Sequence, residues 1–211
     1  AGTLAPAPSG AIGAAFPRAM RHIEAPIVRT AGVPLMLLAD RVRESGFKVV
    51  LTGEGADEVF GGYDIFKEGK IRRFWGRQPK STWRPLLLRR LYGYLANSPT
   101  ARGGMAGGFF GQSLDQANDP YFAHRPRWAT TNRTLRILSP DYRARIDAAH
   151  PIAGLADLAP RPNAAWPPLS RDQYVEAHTL LTGYLLHAQG DRVAMAASIE
   201  GRYPFLDHRL I

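Results

Sequence analysis

Residues 47–58 constrain the fold more tightly than any other stretch. An apolar run, Phe47-Lys-Val-Val-Leu51, breaks abruptly into Thr52-Gly-Glu-Gly-Ala-Asp-Glu58. The apolar run predicts a short buried strand, and Ala56 onward reads as a helix. Upstream, Pro34 opens a helical pattern that runs to Ser45 and stops at Gly46, with proline in the first turn and glycine past the end. Helix, strand, loop and helix in that order make a piece of an α/β layer structure. The loop crowds Glu54, Asp57 and Glu58 together with Gly53 and Gly55. Like charges this close raise each other's pKa or require a cation. Glycines let backbone N–H groups approach a ligand, and a helix start favours anions. The carboxyl end of a strand is where α/β sheets bind ligands. This chemistry points to a magnesium-nucleotide site whose carboxylates serve the metal. The competing explanation is that the acids complement the dipole of the following helix.

The 211 residues suffice for one domain with a proper core, and 45% apolar against 21% charged content places the chain among globular proteins. Without cysteine it has no disulfide, thiolate zinc site or cysteine nucleophile. No apolar run is long enough for a membrane-spanning helix. The opening residues lack the basic and apolar regions of a signal peptide, which points to the cytoplasm. There is no initiator methionine and the chain stops on an apolar run, so a segment of a longer protein is expected. The net charge of +9 is concentrated in residues 67–102, which hold ten Lys or Arg and one acid, Glu68. Such a block suits nucleic acid or an anionic surface. The favoured explanation is plainer, a solvated helical face near an anionic substrate or a surface covered by other parts of the protein, since net charge alone is a nonspecific footprint.

Residues 64–100 read as helix broken by Pro79, Pro85 and Pro99, and the glycine-rich 103–111 as a mobile loop. No Lys-Ser/Thr follows those glycines, so they do not make a P-loop. Prolines at 151–168 mark an irregular connector. From Asp172 to Ala188, apolar residues including Leu181, Tyr184 and Leu185 recur at helical spacing. Gly190 is expected to break that helix, with Asp191 capping another that runs to about Ile199. His178 and His187 are nine residues apart on the expected helix and face opposite sides, against a shared metal. The four tryptophans read as packing residues.

A second cluster of charge lies in residues 189–208, where Asp191, Arg192, Glu200, Arg202 and Asp207 surround small side chains. An ion pair between Arg202 and Asp207, fixing the Tyr-Pro-Phe turn, is expected there. Arg192 starts the proposed helix, where a cation is disfavoured, so an anionic neighbour is expected.

Together the two clusters resemble the synthetase domain of glutamine-hydrolysing asparagine synthetases. That family carries Ser/Thr-Gly-Glu-Gly-Ser/Ala-Asp-Glu-Val/Leu-Phe-Gly-Gly-Tyr, matched by residues 52–63. It also carries Asp-Arg/Asn-Lys followed by Glu-x-Arg-x-Pro-Phe-Leu-Asp, matched by Asp191-Arg192 and residues 200–207. His22-Ile-Glu24 and the stretch from Arg29 to Pro34 are similar too. The resemblance implies an α/β, Rossmann-like ATP pyrophosphatase fold, here truncated and helix-rich, with residues 1–211 forming part of one synthetase domain. The implied reaction adenylates the aspartate side-chain carboxylate with ATP, and glutamine-derived ammonia then displaces AMP. By resemblance Thr52, Gly53 and Gly55 contact ATP, and Glu54 sits beside the acyl-adenylate. Asp57, supported by Glu58, ligates Mg2+, and Arg192 neutralises phosphate charge.

The family's glutaminase domain and Ser-Gly-Gly-x-Asp-Ser pyrophosphate loop are absent from these residues, so the segment alone is expected to be inactive while its parent is an enzyme. A homodimer stays open. Rival readings are a β-lactam-synthetase-like relative using an intramolecular amine, an enzyme amidating another carboxylate, a basic nucleic-acid module, and a scaffold remnant.

Overall fold

The computed structural model describes residues 4–27, 29–92, 104–148, 155 and 165–211. Two compact units divide the chain, one of Ala1–Val59 with Ala177–Ile211, the other of Phe60–Glu176.

The first unit opens with α1 (Ser9–Ile23) and α2 (Gly32–Glu44), whose apolar faces meet in a core of Ala19, Ile23, Val33 and Met36. Ala188 and Val193 complete that core from the C-terminal part of the chain. The expected stop of α2 is present: Gly46 takes φ 87°, a left-handed conformation that a side chain disfavours. β1 (Val49–Leu51) follows, leads to the short α3 (Ala56–Phe60), and pairs in parallel with β2 (Glu200–Arg202), Val49 opposite Glu200 and Leu51 opposite Arg202. The chain is therefore a helix-rich α/β structure with a small parallel sheet.

The expectation of a buried strand fails. Val49 and Leu51 are 39% and 69% exposed, because β1 pairs with a strand on one side only and packs one residue, Val50, inward. The C-terminal helical pattern also differs from its expected form. An α-helix spans Pro168–Glu176, and Ala177–Asp191 then winds with i→i+5 hydrogen bonding, a rare geometry often found near functional sites. Leu181 and Leu185 are buried as expected. The wider winding removes the α-helical phase on which the separation of His178 and His187 rested. Gly190 does not break the winding, and Asp191 has helical dihedrals with no capping bond. The next helix, Arg192–Met195, ends well before Ile199, where Ser198 turns the chain at φ 57°.

In the second unit, α4 (Asp64–Gly76) presents Arg72 to the interior. Only 1% exposed, Arg72 donates to the backbone carbonyls of Phe110, Phe122 and Gln112 at 2.7–2.9 Å and lies over the Phe122 ring. Burial lowers its pKa to about 10. Arg73 holds Asp172 through two 2.7 Å bonds, and Arg84 bonds the Phe74 carbonyl while stacking on its ring. Part of the basic block is thus internal scaffolding rather than solvated surface. The glycine-rich loop is corrected as well: Gly104–Phe110 is a helix, anchored where Phe110 packs with Leu88 and Leu91. Most of the proline-rich connector, with residues 93–103, lies outside the described residues. Trp75 and Trp128 pack as expected, Trp75 on the Leu88–Leu91–Phe110 cluster and Trp128 against Tyr121, whereas Trp83 and Trp166 are exposed.

Candidate functional site

β1 ends where the Thr52 N–H donates to the Arg202 carbonyl at 3.0 Å, so the acidic loop leaves from the carboxyl end of a parallel strand pair. The loop tightens at once, with Ala56 N–H bonded to the Gly53 carbonyl and Val59 N–H to that of Gly55. Its two glycines have different causes. Gly55 has φ 88°, and a Cβ there would overlap the Leu206 side chain, so backbone conformation and packing both require glycine. Gly53 has neither constraint: a Cβ would meet nothing within 4 Å. The Thr52 Oγ1 beside it is buried and has no hydrogen-bond partner among the described residues.

Glu54 lines a cavity of about 90 Å3 beneath the loop. Its other walls are Thr52, Tyr203 and aliphatic side chains of α2, β1 and the Arg192–Met195 helix, with no Lys or Arg among them. Burial is the main cause raising the Glu54 pKa, followed by the nearby charges of Glu58 and Asp57. Tyr203 lines the same cavity and donates to Asp191 Oδ1 at 2.7 Å. A Cβ on Gly190 or Gly201 would lie 3.1 or 2.9 Å from its hydroxyl, so both glycines form the seat of this ring. Burial, then the Asp191 bond, pushes the Tyr203 pKa up.

The structure brings Thr52 and Glu54 together on the cavity wall, leaves Gly53 between them exposed and off that wall, and treats the remaining expected residues differently. Asp57 is exposed while Glu58 is only 3% exposed. Among the described residues no three His, Asp or Glu groups converge into a metal cage. Magnesium commonly needs only one or two carboxylates together with water and phosphate oxygens, a demand that exposed Asp57 can meet. The helix Ala56–Phe60 has five residues, too few for much of a dipole, which weakens the argument from its N-terminus. Arg192 does not line the cavity. It is paired with Glu24, and its Nε donates to His187 Nε2 at 2.9 Å. The anionic neighbour expected for Arg192 is therefore Glu24, although the helix that begins at Arg192 continues directly from the winding before it. Arg202 pairs with Glu200 at 2.7 Å and Asp207 with Arg209 at 2.6 Å, so the expected Arg202–Asp207 pair is not formed. The sequence reading missed Tyr203, whose only signal was a bulky ring in a segment otherwise lined with small residues.

A parallel strand pair delivering an acidic, glycine-bearing turn to a small cavity puts candidate ligand-contacting groups at the carboxyl edge of an α/β sheet. The family model for asparagine synthase matches residues 7–211, and the chain belongs to that family. A putative glutamine-hydrolysing asparagine synthetase of Mycobacterium tuberculosis (strain H37Rv) is 31% identical over 92% of this chain and 28% of its own length. Amidase chyE of Penicillium rubens is 28% identical over 95% of the chain and 30% of its own length. Asparagine synthetase 1 of Bacillus subtilis is 26% identical, covering 91% and 28%. The chain thus spans under one third of these relatives. No solved structure matches it.

Proposed function

We propose that this chain supplies the acyl-activating part of an ATP-dependent amide-forming ligase, within a Rossmann-like ATP pyrophosphatase fold of which β1 and β2 are one portion. The observation that carries the reading is Gly53, a glycine that neither packing nor backbone strain demands, between an orphaned Thr52 hydroxyl and the cavity-lining Glu54. Bare backbone at such a point suits close approach of a phosphate or ribose.

In this reading Thr52 and Gly53 hold ATP, and Gly55 lets the turn close around it. Asp57, helped by Glu58, holds Mg2+, which when bound neutralises triphosphate charge. An oxygen of the substrate's side-chain carboxylate attacks the α-phosphorus, and the bond to pyrophosphate breaks. Ammonia then attacks the acyl carbon, AMP leaves, and the excess proton passes to Glu54. The raised pKa of Glu54 suits that acceptance. Arg192 neutralises phosphate charge as AMP departs.

The names of two relatives, glutamine-hydrolysing asparagine synthetases, support aspartate as the acid and glutamine as the ammonia source; in this reading a glutaminase domain of the same parent chain supplies that ammonia, in the cytoplasm. One observation favours a second acceptor. The cavity beside Glu54 is mainly aliphatic and carries no cation for an amino acid's α-carboxylate, which suits an apolar acid.

The test is ATP–pyrophosphate exchange by the whole protein containing this chain, with aspartate and a panel of apolar acids. Asp57→Ala should abolish exchange. Glu54→Gln should retain it while slowing amide formation by about 10²–10⁴-fold. Exchange with no acid tested, or exchange untouched by Asp57→Ala, overturns the reading.

A further inference from the structure

The second unit contains a larger hollow, a half-open groove of about 570 Å3, to which the acyl-activation reading gives no role. One wall is α4 and the other is the start of the Pro168–Glu176 helix with Pro167 before it.

The two walls differ in chemistry. On α4, Lys67, Lys70 and Phe74 follow at intervals of three and four residues, and Arg77, the capping residue just past its end, keeps helical dihedrals and continues the same face. At 1.5 Å per residue the cations are spread over about 15 Å from Lys67 to Arg77. Lys67 leans on Asp64 at 3.3 Å, whereas Lys70 and Arg77 are exposed and have no acidic partner among the described residues. The groove's acid, Asp172, is 1% exposed and occupied by Arg73. The opposite wall is apolar, with Leu169 48% exposed beside Pro168. The groove therefore presents uncompensated positive charge on one side and hydrocarbon on the other.

We propose that this groove binds an extended acidic peptide segment whose side chains alternate between carboxylates and aliphatic groups. Successive side chains of an extended strand point to opposite sides, so carboxylates would face Lys70 and Arg77 while the aliphatic ones cover Leu169. Acid groups on alternate residues recur about every 6.6 Å and can reach cations spread along the helix. A small ligand with a single anionic head would leave most of them unpaired. Single-stranded nucleic acid fits less well because it needs exposed rings for stacking. Phe66 is 5% exposed, and Phe74 is covered by Arg84 and Trp83.

The experiment is fluorescence anisotropy of a labelled peptide of alternating glutamate and leucine, titrated with the whole chain at low and moderate salt. Saturable binding that weakens with salt is expected. The double variant Lys70→Glu, Arg77→Glu should weaken it by about tenfold or more, and Leu169→Ser should weaken it too. All three positions are exposed, and an unchanged circular dichroism spectrum checks that the variants fold. The proposal is overturned by absence of saturable binding, by affinity unmoved in both variants, or by equal binding of an alternating lysine-leucine peptide. Equal competition by a single-stranded oligodeoxynucleotide also overturns it, since it would make the face a general polyanion surface.

Discussion

The Tyr203 hydroxyl donates to Asp191 Oδ1 over 2.7 Å, tying the segment after β2 to the end of the i→i+5 winding. The ring fits because Gly190 and Gly201 leave it room, and it closes one side of the Glu54 cavity. Tyr203→Phe removes the bond but keeps the ring. Because Asp191 is exposed, the expected loss is about 1 kcal/mol, read by urea unfolding. Gly201→Ala should cost more by displacing the ring.

The two glycines of the acidic turn should separate in a paired experiment. Gly55→Ala imposes a side chain at φ 88° against Leu206 and should destabilise by about 2–4 kcal/mol. Gly53→Ala should leave the thermal midpoint within about a degree or two and lower ATP affinity in the whole protein. Equal destabilisation by both would remove the reason for assigning Gly53 to a ligand.

Glu54 should make stability depend on pH in a defined direction. Its folded pKa is raised, so the folded state holds the proton more tightly than the unfolded chain. The associated stabilisation is present below the ordinary carboxylate value and is lost as pH rises through the raised one. Glu54→Gln should therefore be more stable than the parent at neutral pH, with the advantage gone near about pH 4. Thermal melts across that range check the sign.

Arg72→Met should be among the most damaging single changes in the second unit. It would orphan the carbonyls of Phe110, Phe122 and Gln112, the first two on buried residues. A loss of about 3–5 kcal/mol is expected, measured by chemical denaturation.

The legible parts of the sequence were those where local chemistry decides the outcome. The strand before Thr52, the stop at Gly46, and the burial of Leu181 and Leu185 followed from apolar spacing and glycine. The exposure of Val49 and Leu51 did not, because periodicity gives a strand's existence but not how many neighbours it has. Residues 104–110 were misread because propensity counts glycine against a helix, whereas Phe110 packing against Leu88 and Leu91 outweighs it. Within the site, Thr52 and Glu54 line the cavity, but the partners of Arg192 and Arg202 were not legible. Ion pairs depend on which segments fold beside one another, and Arg192 with Glu24 spans 168 positions.

That distant pairing leaves Arg192 with divided loyalties. If Arg192 serves phosphate as proposed, a guanidinium clasped by a glutamate at the end of α1 must first loosen that grip. Nucleotide arrival would then be felt at the opposite end of the sequence, as altered mobility around Glu24.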